Sequence, residues 1–228
     1  MAMAPNKYTW FLLLGLIVLA ILASPSHSKV GEIGQIKGSG VLEREGDIVI
    51  DGNAGVGVLS MDEAVTANGT MRIDFVDETR VELTEQSRLV IDEFVYDPAN
   101  DVGSLSIKAS LGTVRYASGQ IAKKYKQNVK IRTPSATIGV RGTDFIMVVD
   151  EMGGSMITLL PSCDTAGLCY VGEIEVMTDA GFVVLNQAFQ ATQTVHGMRK
   201  PSPPVLLDLS EDQINNLLLL RKRTPIDE

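Results

Sequence analysis

The sequence predicts an all-β fold: an antiparallel sandwich or roll of short strands, or alternatively a β-solenoid, with a short C-terminal helix. Three observations predict it. Apolar and polar residues alternate with a period of two over several stretches. Turn signals recur roughly every ten residues, the spacing of antiparallel sandwiches and rolls. Between the strand-like stretches no helical segment reaches the roughly 10 residues that a parallel crossover needs.

The elements follow in order. "MRIDF" sets Met71, Ile73 and Phe75 on one face and Arg72 and Asp74 on the other. "SLSIKASLG" sets Leu105, Ile107, Ala109 and Leu111 against Ser106, Lys108 and Ser110. "GEIEVMT" alternates Ile174 and Val176 with Glu173 and Glu175. Each reads as a half-buried strand. "DGNAG" (51–55), "ANG" (67–69), "YDPAND" (96–101), "EMGG" (151–154) and "DAG" (179–181) read as turns between them. "FIMVV" (145–149) and "FVVL" (182–185) are apolar throughout, which predicts central strands covered on both faces. "KPSPPV" (200–205) holds three prolines and reads as a stiff linker outside any ladder. Beyond it, Ser210 and Gln213 form a capping box, acids lie at the start and Arg221, Lys222 and Arg223 at the end, predicting a helix over 210–223.

The N-terminus reads as a secretory signal. Lys7 is followed by the apolar run Trp10 to Ala23, which is shorter than the roughly 20 residues of a spanning helix. Small residues at Ser26 and Ser28 then predict cleavage after Ser28, an uncleaved anchor being the alternative. The organisation is therefore 1–28 signal, 29–200 all-β domain, 201–228 linker and helix. The product is exported, periplasmic or secreted, with no membrane span after cleavage. It would carry 19 Lys and Arg against 28 Asp and Glu. That balance disfavours nucleic acid, and the basic groups at 123–132 and 221–223 read as solvated faces. Cys163 and Cys169 flank turn-forming residues, and outside the cytoplasm two such neighbours pair. A disulfide pinning a hairpin loop is expected. The spacing is wrong for a redox CxxC, and only His196 would be left to complete a metal site, so no metal or cofactor is expected.

The densest constellation is "NVKIRTPSATIGVRGTDFIMVV" (128–149). Pro134 interrupts one strand, and Ala136, Ile138 and Val140 share a face of the next. Gly139 and Gly142 permit a bend or a close backbone approach. Arg141 and Asp144 are three apart, placed for a bidentate ion pair, or for Arg141 to reach Asp77. Thr143 can bond local backbone. One reading is a ligand clamp, with Arg141 holding an anion that Thr143 and Asp144 orient. The other is a polar staple at a bend between core strands. Patterning continues directly on both sides, so the staple is the expectation.

"DFVDETRVELTEQSRLVIDEFVYD" (74–97) and "IRTPSATIGVRGTDF" (131–145) resemble the FecR domain family. The second matches at Thr133, Pro134, Ala136, Arg141, Gly142, Thr143 and Phe145. The intervening "SLSIKASLGTVRYASG" fits through Leu111, Gly112, Val114 and Arg115. The resemblance covers roughly 60–150 and implies an extracytoplasmic all-β module of a bacterial envelope. Members include membrane-spanning anti-sigma regulators, whose cytoplasmic segment holds a sigma factor. Here nine residues precede the apolar run, so that activity is not carried over.

Enzyme signals are thin. There is no G-x-S-x-G, HExxH, P-loop or G-x-G-x-x-G after a strand. Adjacent carboxylates on a strand point to opposite faces. Asp97, Asn100 and Asp101 fit a turn better than a calcium loop. The functional expectation is a non-catalytic module that binds another envelope component. An envelope protein is the expected partner, with β-augmentation as a natural mode. Glycan or cell-wall binding is the alternative, and the lack of Trp after residue 28 counts against it.

Overall fold

The computed structural model describes residues 29–125, 127–163, 168–197, 199–209 and 213. The expected signal (1–28) and, apart from Gln213, the expected C-terminal helix (210–223) lie outside the described residues. The strands are β1 Lys29–Arg44, β2 Ile48–Asp51, β3 Gly57–Leu59, β4 Glu63–Phe75, β5 Arg80–Leu83, β6 Arg88–Asp97 and β7 Val102–Ala117. A one-turn helix, α1 Gln120–Lys124, follows. Then come β8 Val129–Arg132, β9 Thr137–Arg141, β10 Asp144–Val149, β11 Ser155–Leu160, β12 Ser162–Cys163, β13 Cys169–Tyr170, β14 Glu173–Thr178, β15 Gly181–Leu185, β16 Gln190–Thr194 and β17 Val205–Leu206. All but β12 and β13 belong to one sheet.

The spine of that sheet is β7, which is long enough to take two partners on each edge. On one edge its first part pairs with β6 and its last part with β5. On the other, the same two parts pair with β8 and β10. β5 and β6 rejoin on β4, which pairs along β1. Past β8 and β10 the sheet runs on as two branches, β8–β9–β14–β15 and β10–β11–β16–β17. The branches are tied across the fold. Ser135, in the β8–β9 turn, bonds Ser155 of β11 at 3.0 Å and Thr194 of β16 at 2.7 Å. The result is an antiparallel roll around one apolar core, to which every long strand contributes.

The period-two patterns place that core. Met71, Ile73 and Phe75 are buried, as are Leu105, Ile107 and Ala109, and Ile174 and Val176. Four expectations differ from the structure. First, one pairing is parallel: β8 lies beside β7 in that sense, reached by an 11-residue return, 118–128, that contains only α1. The return can be short because β7 curves and brings both its ends near α1: Ile121 and Tyr125 lie against Gly103, while Gln120 bonds the turn that precedes the partner of Ala117. Second, "ANG" (67–69) is not a turn. β4 runs through it, and Gly69 meets Gly38 of β1 so closely that a Cβ on either would lie 2.0–2.1 Å from opposing backbone oxygen. The two strands bend together there at a shift of register.

Third, neither apolar run is covered on both faces. In β10, Phe145, Met147 and Val149 are buried while Ile146 and Val148 are half-buried. In β15, Phe182 is 61% exposed and the strand ends its branch. Fourth, "KPSPPV" does not stand clear of the ladder. Ser202 exchanges backbone and side-chain bonds with Gln193 and Thr192, and Val205–Leu206 forms β17 on β16. Prolines are tolerated because this is an edge, where the missing N–H faces away from the sheet.

The change of partner along β7 depends on Gly112. It has φ +88°, and a Cβ would lie 2.2 Å from Ser87 Oγ and 2.6 Å from Ser87 Cα. The fully buried Ser87 fills the gap between β6 and β5, accepting the Thr113 N–H at 3.1 Å. Gly112→Ala combines a left-handed backbone with a backbone clash and is expected to cost about 2–3 kcal/mol. A urea titration showing less than about 0.5 kcal/mol lost would contradict this account of the spine.

Candidate functional site

The residues singled out by the sequence separate into two environments. Asp77 is fully buried in the β4–β5 turn. Its Oδ1 accepts the Thr79 N–H at 3.1 Å, and its Oδ2 accepts the Thr79 hydroxyl at 2.9 Å and the Ile121 N–H at 3.1 Å. Its backbone carbonyl accepts the Gln120 N–H at 2.7 Å. The turn is sharp, with Glu78 at φ +69°. One carboxylate thus fixes the turn and docks α1 on it.

Thr143 and Asp144 lie at the same end of β7. The Ser118 hydroxyl donates to the Thr143 carbonyl at 2.7 Å and accepts the Thr143 N–H at 2.9 Å. Asp144 Oδ1 accepts the Ser162 hydroxyl at 2.6 Å, buried. Between these groups sits Tyr116, its ring tilted against Phe145 with centroids 5.3 Å apart. Its fully buried hydroxyl faces Thr79 and Ser118 without a well-formed hydrogen bond, because both hydroxyls are committed to Asp77 and Thr143. Burial pushes the Tyr116 phenol far above its ordinary range, and the Asp77 and Asp144 charges push the same way.

Arg141 does not join this cluster, and the expected pairing with Asp144 or Asp77 is absent. It is the last residue of β9, and its side chain lies on the outer face, 44% exposed. There Nη1 lies 2.5 Å from Glu173 and Nη2 lies 3.7 Å from Glu175, both on β14. The reason is strand parity. Ile138 and Val140 point into the core, so Arg141 points out, and Gly142 (φ +67°) turns the chain so that Thr143 and Asp144 point back in.

The four residues 141–144 share one task even so. Between β11 and β14 the chain makes an excursion closed by the Cys163–Cys169 disulfide. Asp144 holds its start through Ser162. Thr143 Oγ1 donates to the Leu160 carbonyl at 3.4 Å and accepts the Gly172 N–H at 3.3 Å, holding both ends. Arg141 holds Glu173, where β14 begins. Gly172 presses so close that a Cβ would lie 2.6 Å from the Gly142 carbonyl oxygen. These residues fasten the two ends of a disulfide hairpin, rather than stapling a bend between two core strands through an Arg141–Asp144 pair. Beside the hairpin opens a shallow cleft of about 600 Å³, lined by Gln127, Arg141, Val171, Gly172, Glu173 and Asn186. Leu168 (73% exposed), Tyr170 (50%) and Val171 (39%) present apolar surface on the hairpin.

Sequence reasoning missed Thr79, Tyr116, Ser118, Ser162 and Gly172. The signal that could have found the first three is the polar residues within "RYASG" (115–119) and within the 77–79 turn. At the β6–β7 turn, Asp97 accepts the Ala99 and Asn100 N–H groups and Asp101 pairs with Lys124, as a turn requires. Among the described residues no group of three His, Cys, Asp or Glu side chains could hold a metal ion.

A roll whose motif residues lock turns and loops to one end of a spine strand defines a class of all-β module. Residues 62–161 match the family model described as FecR protein. Two crystal structures of a protein from Parabacteroides distasonis ATCC 8503, provisionally described as an anti-sigma factor, are similar at 13% identity, with TM-scores of 0.43 and 0.46. The similarity covers 69% of this chain and 63% of that one, so it spans less than two thirds of that protein's length. No curated protein matches the chain. The disulfide hairpin begins where the family match ends, at residue 161.

Two mutations separate the environments. Asp77→Ala strands two backbone N–H donors and the Thr79 hydroxyl in the interior, and is expected to cost about 3 kcal/mol or more. Arg141→Ala removes exposed ion pairs and should cost less than about 1 kcal/mol. Chemical denaturation of both variants checks the order. Tyr116 sets an alkaline limit. Above the ordinary phenol value of about 10 the unfolded chain releases a proton that the folded chain keeps, so stability falls as pH rises. Tyr116→Phe should flatten that fall, read from melting temperatures on the alkaline side.

Proposed function

We propose that the protein is a non-catalytic, extracytoplasmic FecR-like module that binds another envelope protein, in a signalling or scaffolding role, through its disulfide hairpin. The observation that carries this reading is the investment of the Arg141–Asp144 motif in the hairpin. Three side chains and a disulfide hold a loop whose Leu168, Tyr170 and Val171 are exposed. Rigidly held apolar and aromatic side chains beside a cleft are what protein hot spots are made of, because little entropy is lost on docking. The signal pattern at 1–28 and the disulfide support an oxidising compartment outside the cytoplasm.

The test compares the chain with its Leu168→Ser, Tyr170→Ser variant, each carrying a photo-cross-linker in the hairpin, in envelope extract and with sedimented wall glycan. One protein cross-linked by the parent and lost with the variant at unchanged melting temperature is the expected result. The hot-spot scale puts the loss at about 30-fold in affinity or more. Equal cross-linking by both chains, or co-sedimentation with glycan alone, would overturn the reading. Reduction of Cys163–Cys169 should also weaken capture while leaving the roll folded, since the Ser162, Gly172 and Glu173 anchors persist.

A further inference from the structure

A sheet that does not close leaves strands with one unpaired edge, and such edges invite pairing with another chain unless they are blunted. In the large sheet, among the described residues, four strands have a single partner: β2, β3, β15 and β17. Three are blunted. β2 is four residues long with Asp47 before it and Asp51 at its end. β3 is three residues long, and the Arg44 guanidinium donates to its Gly57 carbonyl at 3.2 Å. β17 is two residues long behind Pro203 and Pro204. β15, "GFVVL", has no charge, no proline and no bulge. It opens the stretch 180–195, which contains no Lys, Arg, Asp or Glu in a chain that is 21% charged.

The register shows what that edge offers. β14 and β15 are joined by a two-residue loop that closes on Thr178 opposite Gly181. In such a hairpin the closing pair is hydrogen-bonded, and bonded and unbonded pairs then alternate. Gly181, Val183 and Leu185 therefore bond β14, while the N–H and C=O groups of Phe182 and Val184 point to the open edge. No backbone bond to those two residues comes from elsewhere among the described residues.

We propose that β15 pairs antiparallel with β15 of a second copy, centred on Val183, so that the sheet continues across a two-fold axis. This register satisfies the edge completely. Phe182 faces Val184 of the second copy and Val184 faces Phe182, and each pair exchanges two bonds between groups that are otherwise free. The side chains fit as well. On the outer face the exposed Phe182 ring meets a valine, an aromatic–β-branched cross-strand pair. On the inner face Leu185 stays in its own core and the Lys200 stem covers Gly181, so this face brings no bulky side chain against the second copy. No like charges are brought opposite each other in the strand, which matters for a chain with net charge −8. An isologous contact of this kind closes at two subunits.

The test is sedimentation velocity of the disulfide-intact chain over about a hundredfold range of concentration. A monomer–dimer equilibrium is expected. Val184→Pro removes one edge-facing N–H and no intramolecular bond, so it should leave the circular dichroism and melting temperature unchanged and weaken the dimer about tenfold or more. Val184→Lys serves as a second edge block should the proline variant misfold. Register is read with single added cysteines. Val183→Cys lies opposite itself and should oxidise to a covalent dimer, whereas Val184→Cys lies opposite Phe182 and should not. A monomer at every concentration would overturn the proposal. So would a dimer indifferent to both Val184 variants, or a Val184→Cys chain that cross-links as readily as the Val183→Cys chain.

Discussion

Everything in this fold hangs on the backbone of β7. A strand with both edges paired must find a partner for every N–H and C=O, because a buried unpaired group costs as much as a lost hydrogen bond. β7 meets that demand with four different strands, two on each edge. Each change of partner opens a gap in the ladder. On the β5–β6 side the gap is filled by Ser87 against Thr113, and the left-handed Gly112 lets the strand bend around it. On the other side the chain doubles back through α1, which explains why a parallel pair can form in a roll without a long crossover. The two branches and their facing ties at Ser135 are consequences of this one strand dividing its edges.

At the C-terminal end of β7 the same demand is met by side chains. Three turns converge there, after β4, after β7 and before β10, and none has a ladder to pair with. Asp77 takes the donors of the first and of α1, Ser118 takes those of the third, and Asp144 reaches Ser162. Tyr116 packs among them with its hydroxyl left over. A leftover hydroxyl is tolerable because the ring's burial against Phe145 outweighs one weakly satisfied donor. These polar residues are conduits for turn geometry, and that accounts for an Asp, a Ser and a Thr in an otherwise apolar end of the roll.

The strands were legible from the sequence because alternation reports one buried face, and Met71, Ile73, Leu105, Ile107, Ile174 and Val176 all lie where alternation puts them. What failed was anything that depends on the neighbour across the sheet. An apolar run such as "FVVL" looks the same on an edge as in a core, since composition reports the residues present and not the strand missing beside them. "ANG" looks like a turn, but Gly38 lies opposite and turns the pair of glycines into a shared bend. Arg141 and Asp144 are close in sequence, yet strand parity and one left-handed glycine send them to opposite sides. The disulfide was legible because it is a local pairing of two cysteines in a short loop.

The division of labour between residues 141–144 and the hairpin bears on how such a module can vary. The motif belongs to the family stretch, and the hairpin it fastens lies just beyond residue 161. Among the described residues the anchors act at the hairpin's ends. They take the Gly172 N–H, the Leu160 carbonyl, the Ser162 hydroxyl and the Glu173 carboxylate, all at its two ends. Such an arrangement separates what must be kept, a turn-locking polar cluster around β7, from what can be altered, the displayed Leu168, Tyr170 and Val171. A loop pinned by its two ends leaves the packing of the roll independent of the side chains that Leu168, Tyr170 and Val171 display.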